Sequence, residues 1–150
     1  MISLLRTQPL RVSCGDLGIA WMCRGNALQK QNTSRSIADA VNSYNEAIAL
    51  LGAWSGDSEA EEAIPFAETR MLAKPAAKAS ALGAAWMNRG HAWQRLGTPQ
   101  ALKDAVVSYD HALEQLTTLP LDECRAFRIN LAATAMNRAN ALLAFRIPLA

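Results

Sequence analysis

Three arginines recur in step along this chain, and they have the clearest capacity to hold a ligand. Arg24, Arg89 and Arg138 close the segments Met22-Cys23-Arg24, Met87-Asn88-Arg89 and Met136-Asn137-Arg138. Stacked guanidinium groups hold carboxylates or phosphates through paired N–H donors. The competing reading is pairing within each unit, Arg24 with Asp39 and Arg89 with Asp104, since each aspartate lies fifteen residues further on. Arg138 has no partner at that spacing. His91 and His111 are the candidates for proton transfer or metal binding, but neither has a Cys, Asp or His at metal or catalytic spacing. Cys14, Cys23 and Cys124 are odd in number and show no ligand spacing, as expected of reduced thiols in a cytoplasmic protein. Cys23 is a candidate reactive thiol, without a repeated His beside it. Asp57, Glu59, Glu61 and Glu62 read as a solvated acidic face or a helix start rather than an acid/base pair. Neither a Gly-rich phosphate loop nor a nucleophilic serine motif occurs. The expectation is a non-enzymatic protein with no catalytic residue, no cofactor and no metal.

The elements that position these residues are helices. The 150 residues fit one domain, and 51% hydrophobic with 19% charged residues is ordinary for a globular protein. A formal charge of +2, with its basic residues scattered, predicts neither nucleic-acid nor membrane binding. Arg6, Gln8, Pro9 and Arg11 interrupt the apolar stretch that a signal peptide would need, and no run reaches the roughly 20 apolar residues of a membrane span. A cytoplasmic location is expected.

The organisation is repetitive. Shifted by 65 positions, residues 17–51 fall on 82–116 without a gap. Seventeen of the 35 pairs are identical, where composition alone gives about three. The matches include Trp21/Trp86, Met22/Met87, Arg24/Arg89, Gly25/Gly90, Asp39/Asp104, Ser43/Ser108 and Tyr44/Tyr109. A partial third copy follows, in which Met136-Asn137-Arg138-Ala139-Asn140-Ala141-Leu142 repeats Met87-Asn88-Arg89-Gly90-His91-Ala92-Trp93. At the other end, Leu5, Thr7, Pro9 and Leu10 have the spacing of Leu116, Thr118, Pro120 and Leu121 and read as the tail of an earlier copy. The units run over about 12–51, 76–116 and 122–145, with 52–74 an insertion holding a short helix broken near Pro65.

Each unit reads as a helical hairpin. Ala20, Ala27 and Leu28 recur at helical spacing, with Trp21 and Gly25 on neighbouring rows. Ile37, Ala40, Val41, Tyr44, Ala47, Ile48 and Leu51 follow the three-and-four rhythm of an amphipathic helix, as do Leu102, Ala105, Val106, Tyr109, Ala112, Leu113 and Leu116. Thr98 is placed to cap a helix with Pro99 in its first turn, and Thr33 or Ser34 serves the first copy. Gly97 and Asn32 mark the turns.

These residues resemble the tetratricopeptide repeat, whose first helix carries W-x2-L-G-x2-Y and whose second carries A-x3-F-x2-A. Here the first reads Trp21-x2-Arg24-Gly25-x2-Leu28 and Trp86-x2-Arg89-Gly90-x2-Trp93. The second reads Ala40-x3-Tyr44-x2-Ala47 and Ala105-x3-Tyr109-x2-Ala112. The chain departs from the family in spacing its units by 65 and 49 residues, in arginine where leucine is usual, and in a turn read as three residues longer. The resemblance implies an all-α fold of hairpins stacked as a solenoid. It also implies a groove lined by the first helices, at Met22, Asn26, Gln29, Lys30, Met87, His91, Gln94, Arg95, Met136 and Asn140. The lysines with which some members clamp a peptide carboxylate are missing at the matching positions. A methionine and amide surface suits adaptable contact with a protein or peptide, although the methionines also read as core filler. The alternative function is self-assembly, because a last helix carrying Phe127, Leu131, Met136, Leu142 and Phe145 lacks a mate.

Overall fold

The structure, a computed structural model, describes residues 12–55 and 74–146. These form five α-helices, α1 (Cys14–Gln31), α2 (Ser34–Ala53), α3 (Lys74–Leu96), α4 (Pro99–Leu116) and α5 (Arg125–Arg146), with no strand among the described residues. The expected helix in 52–74 and the repeat-like tail at Leu5 to Leu10 lie outside the described residues.

Local chemistry sets the helix ends. Ser13 caps α1 and Thr33 caps α2, each with a reciprocal bond from the residue three further on, Asp16 and Ser36. Thr98 caps α4 and Pro99 opens it, where the missing N–H costs nothing. Asn32 (φ 54°) and Gly97 (φ 68°) take the left-handed conformation that ends α1 and α3. Each of these turns is therefore only two residues long, Asn32-Thr33 and Gly97-Thr98. The longer turn expected from the sequence does not exist, because the additional residues continue the first helix.

Such short turns reverse the chain, so α1 lies against α2 and α3 against α4 in antiparallel pairs. Glycine decides how closely they pack. A Cβ on Gly18 would lie 2.7 Å from Leu51 Cγ, and one on Gly25 would lie 2.5 Å from Tyr44 Cε1. In the second pair, Gly83 faces Leu116 at 2.9 Å and Gly90 faces Tyr109 at 2.7 Å. The bulky residue of each pair thus sits where the glycine has no side chain, two times per hairpin and seven residues apart. Tyr44 and Tyr109 are fully buried, as the amphipathic rhythm predicts.

Successive pairs then stack through α2 on α3 and α4 on α5, with α3 also touching α1 and α5. One apolar cluster joins Ile37, Val41, Tyr44 and Leu51 of α2 to Leu82, Ala85 and Ala92 of α3. A second joins Ala105 and Tyr109 of α4 to Ala141 of α5, and a third gathers Leu116, Leu119 and Phe127. Lys78 of α3 donates to the carbonyls of Gly52 (2.8 Å) and Trp54 (2.9 Å), closing the C-terminal end of α2.

Candidate partner-binding cleft

The first helices α1 and α3 meet along their C-terminal halves, and an open cleft of about 400 Å³ lies between them. It is lined by Asn26, Gln29, Lys30 and Asn32 from the first hairpin and by Asn88, His91 and Arg95 from the second. Spacings of three and four residues put Asn26, Gln29 and Lys30 on one face of α1. The same rule aligns Asn88, His91 and Arg95 on α3.

A hydrogen-bond network fixes the floor. The Tyr44 hydroxyl donates to Asn26 Oδ1 at 2.7 Å and accepts from Gln29 Nε2 at 2.9 Å. Gln29 Nε2 also reaches the Asn88 carbonyl at 3.1 Å, and Asn88 Nδ2 donates to Asn26 Oδ1 at 3.2 Å. The buried ring is thereby tied through its only polar atom to both hairpins. Burial pushes the Tyr44 phenol up to about 12, against a smaller opposing effect of the Gln29 bond and of the Arg95 charge. Arg95 donates to the Gln29 carbonyl at 2.9 Å and to Asn32 Oδ1, so it caps the last turn of α1 from the next hairpin. Burial first, and the Arg95 charge second, lower the His91 pKa, which keeps this imidazole neutral at pH 7. Its Nε2 lies 3.2 Å from Asn137 Nδ2 of α5. Lys30 and Arg95 give the lining two cations, and among the described residues no carboxylate lines the cleft beside them.

Of the ten groove residues expected from the sequence, five converge here: Asn26, Gln29, Lys30, His91 and Arg95. Met22 is corrected, since it is buried in the core cluster with Ile37 and Tyr44. Met87 is half-buried against the Tyr109 and Ala141 cluster, and Gln94 turns inward to accept the Tyr109 hydroxyl at 2.8 Å. Met136 and Asn140 are exposed on α5, outside the cleft. Asn32 and Asn88 were missed. Asn32 reads from sequence only as a turn residue, and Asn88 matches Cys23 in the first copy, so the repeat signals it only through Asn137 of the partial third copy.

The arginines are corrected as well. Among the described residues neither Arg24 nor Arg89 forms the expected ion pair with Asp39 or Asp104. Arg24 donates to Ser43 Oγ at 2.5 Å and lies over the Trp21 ring, 5.2 Å from its centre. Arg89 lies 5.0 Å over Trp86, whose ring also stacks on His111 at 4.5 Å. The Arg89 Nε is buried with no hydrogen-bond partner. Burial lowers its pKa, and Asp104 acts only as a more distant opposing charge. Arg138 does have a carboxylate, Asp110 of the preceding hairpin. The three side chains are thus spent on different neighbours and make no common anion site. Among the described residues there is also no group of three His, Cys, Asp or Glu able to hold a metal ion, and no helix is long and apolar enough to cross a membrane.

No protein-family model, curated protein or solved structure matches this chain.

Proposed function

We propose that the chain is a non-catalytic scaffold, a solenoid of tetratricopeptide-like hairpins that holds a peptide or the surface of another protein in the cleft between α1 and α3. One observation carries this reading: side chains from two separate hairpins converge on one open, amide-rich cleft with a surplus of positive charge. Amide groups offer both donors and acceptors, as a peptide backbone does, and Lys30 and Arg95 favour an acidic residue in the occupant. Duplicated hairpins and direct contact between successive first helices support the solenoid reading. Three free cysteines suit a reducing, cytoplasmic setting.

The test begins with displayed random peptides selected on the intact chain. Enriched peptides should be acidic. Lys30→Glu and His91→Ala should each weaken them at least about tenfold, or roughly 1.4 kcal/mol, with the melting temperature unchanged. Peptides that bind both variants as tightly as the parent would place the site elsewhere.

A further inference from the structure

The polar contacts between successive first helices repeat, with one change that bears on the cleft. Asn88 Nδ2 of α3 donates to Asn26 Oδ1 of α1 at 3.2 Å, and Asn137 Nδ2 of α5 lies 3.2 Å from His91 Nε2 of α3. These are the same contact in two places, because Asn26 corresponds to His91 at 65 positions and Asn88 to Asn137 at 49. The tyrosines mark the difference. Tyr44 donates to Asn26 at 2.7 Å, whereas Tyr109 leaves His91 and donates to Gln94 at 2.8 Å. The three equivalent positions hold Asn26, His91 and Asn140, so an imidazole stands where the repeat otherwise has an amide. It alone of the three can change charge near neutral pH.

The surroundings of His91 decide when it takes a proton. The side chain lines the cleft and is open to it. Arg95 stands one turn further along α3, and Lys30 lines the same cleft from α1. Helix α5 presents the neutral Asn137, and Arg138 next to it in sequence is taken by Asp110 of α4. Helix α2 packs on another side of α3, at Ala85 and Ala92. Among the described residues no carboxylate lines the cleft. A proton on the ring would thus add a third positive charge beside two others, and the imidazole stays neutral at pH 7. A carboxylate brought in by an occupant reverses the balance, because an opposite charge favours the protonated ring.

We propose that His91 makes the cleft between α1 and α3 a proton-linked site, in which an acidic peptide binds together with a proton taken up by this imidazole. The proposal rests on the reading of the cleft as a binding site and adds how that site is regulated. Its sign follows from linkage. In the free chain, burial and the Arg95 charge make the ring give up its proton below the ordinary histidine value. In the occupied cleft the carboxylate makes it keep the proton to higher pH. Binding therefore strengthens as the pH falls between those two points, by up to about tenfold per pH unit, and levels off on either side. Asparagine, which holds this position in the first hairpin and in α5, has no titrating group and confers no such dependence.

The probe is a rhodamine-labelled hexa-aspartate peptide, titrated into the full chain at pH 5.5, 6.5 and 7.5 at constant ionic strength and followed by fluorescence anisotropy. Saturable binding is expected, tighter at pH 5.5 than at pH 7.5 by at least about fivefold. That ratio should fall close to one in His91→Asn, whatever the affinity of the variant. It should persist in His111→Asn, whose ring stacks on Trp86 and does not line the cleft. In proton NMR the His91 ring, assigned by its loss in His91→Asn, should titrate at higher pH with saturating peptide than without. Binding that is independent of pH, a ratio that survives His91→Asn, or an unmoved His91 titration overturns the proposal and leaves the cleft reading standing. Absence of saturable binding at all three pH values also overturns it, and the displayed peptides decide separately whether the cleft binds at all. Binding undiminished in Lys30→Glu places the site elsewhere and overturns the cleft reading together with the proposal.

Discussion

Ala27 and Ala92 hold the same place in the two hairpins, yet Ala92 is wholly buried and Ala27 is exposed. Ala20 and Ala85 differ in the same way. The glycine-tyrosine contacts of the two hairpins are by contrast the same, Gly25 under Tyr44 and Gly90 under Tyr109. The contrast separates two kinds of packing. Contacts inside a hairpin are complete in each copy, because both partners arrive on one short loop. Contacts between hairpins depend on which neighbour is present: α2 covers Ala85 and Ala92, and no described helix covers Ala20 and Ala27. Identical residues thus carry a core load in one copy and none in the other.

The strongest way to break this account is to remove the shared ring. Tyr44→Ala and Tyr109→Ala should each destabilise the chain by about 3–5 kcal/mol, as expected for deleting a fully buried aromatic side chain. Chemical denaturation monitored by circular dichroism measures it. A loss near zero for either would mean that its hairpin does not close over the tyrosine. Unequal losses would sharpen the comparison, since Tyr44 also packs beside α3 whereas Tyr109 packs beside α5.

Much of this packing was legible in the sequence. The tyrosines, the amphipathic rhythm of α2 and α4, the caps Thr33 and Thr98 and the left-handed turns at Asn32 and Gly97 are local features, and local features repeat with the sequence. The sites of polar contact were not legible. Arg24 and Arg89 are identical residues in identical motifs, but Ser43 accepts from Arg24 while the Arg89 Nε has no partner. Arg138 finds Asp110, where the first hairpin has Asn45 in the corresponding position. Five of the seven residues that line the cleft were legible because α1 and α3 share a helical phase. Met22 shares that phase, four residues before Asn26 and seven before Gln29, but it lies a turn or more nearer the N-terminus of α1, where it packs into the core cluster with Ile37 and Tyr44; periodicity does not fix where along a helix a cleft opens.

A smaller effect tests the glycines themselves. Gly25→Ala should cost about 1–3 kcal/mol through overpacking, because the new methyl meets the Tyr44 ring. Gly52→Ala is the matched control: a Cβ there meets nothing within 4 Å, and the better helix propensity of alanine should stabilise by up to about 1 kcal/mol. Opposite signs in thermal or denaturant melts are the expected outcome. If both substitutions stabilise, the close approach of α1 to α2 is wrong.

The smallest effect is spectroscopic and bears on the two tyrosines directly. They are the only tyrosines of the chain, and burial raises both phenols, Tyr44 to about 12 and Tyr109 further still. An unfolded tyrosine ionises near 10. A raised folded-state pKa means that the native state holds its proton more tightly than the unfolded state. The resulting stabilisation is complete below pH 10 and is lost as the pH rises from 10 towards 12. Phenolate absorbance of the folded chain should therefore stay low through pH 11, and denaturant should release it at that pH. The two copies should also separate. The Tyr44 hydroxyl accepts from Gln29 and feels the Arg95 charge, both of which favour the phenolate, whereas burial raises Tyr109 without such opposing influences. With Tyr109→Phe, the remaining tyrosine should ionise at lower pH than it does with Tyr44→Phe, while circular dichroism confirms that each variant is still folded. Coincident curves would show that the cleft network leaves the Tyr44 hydroxyl untouched, and a rise in absorbance centred at pH 10 would show that the rings are not buried at all.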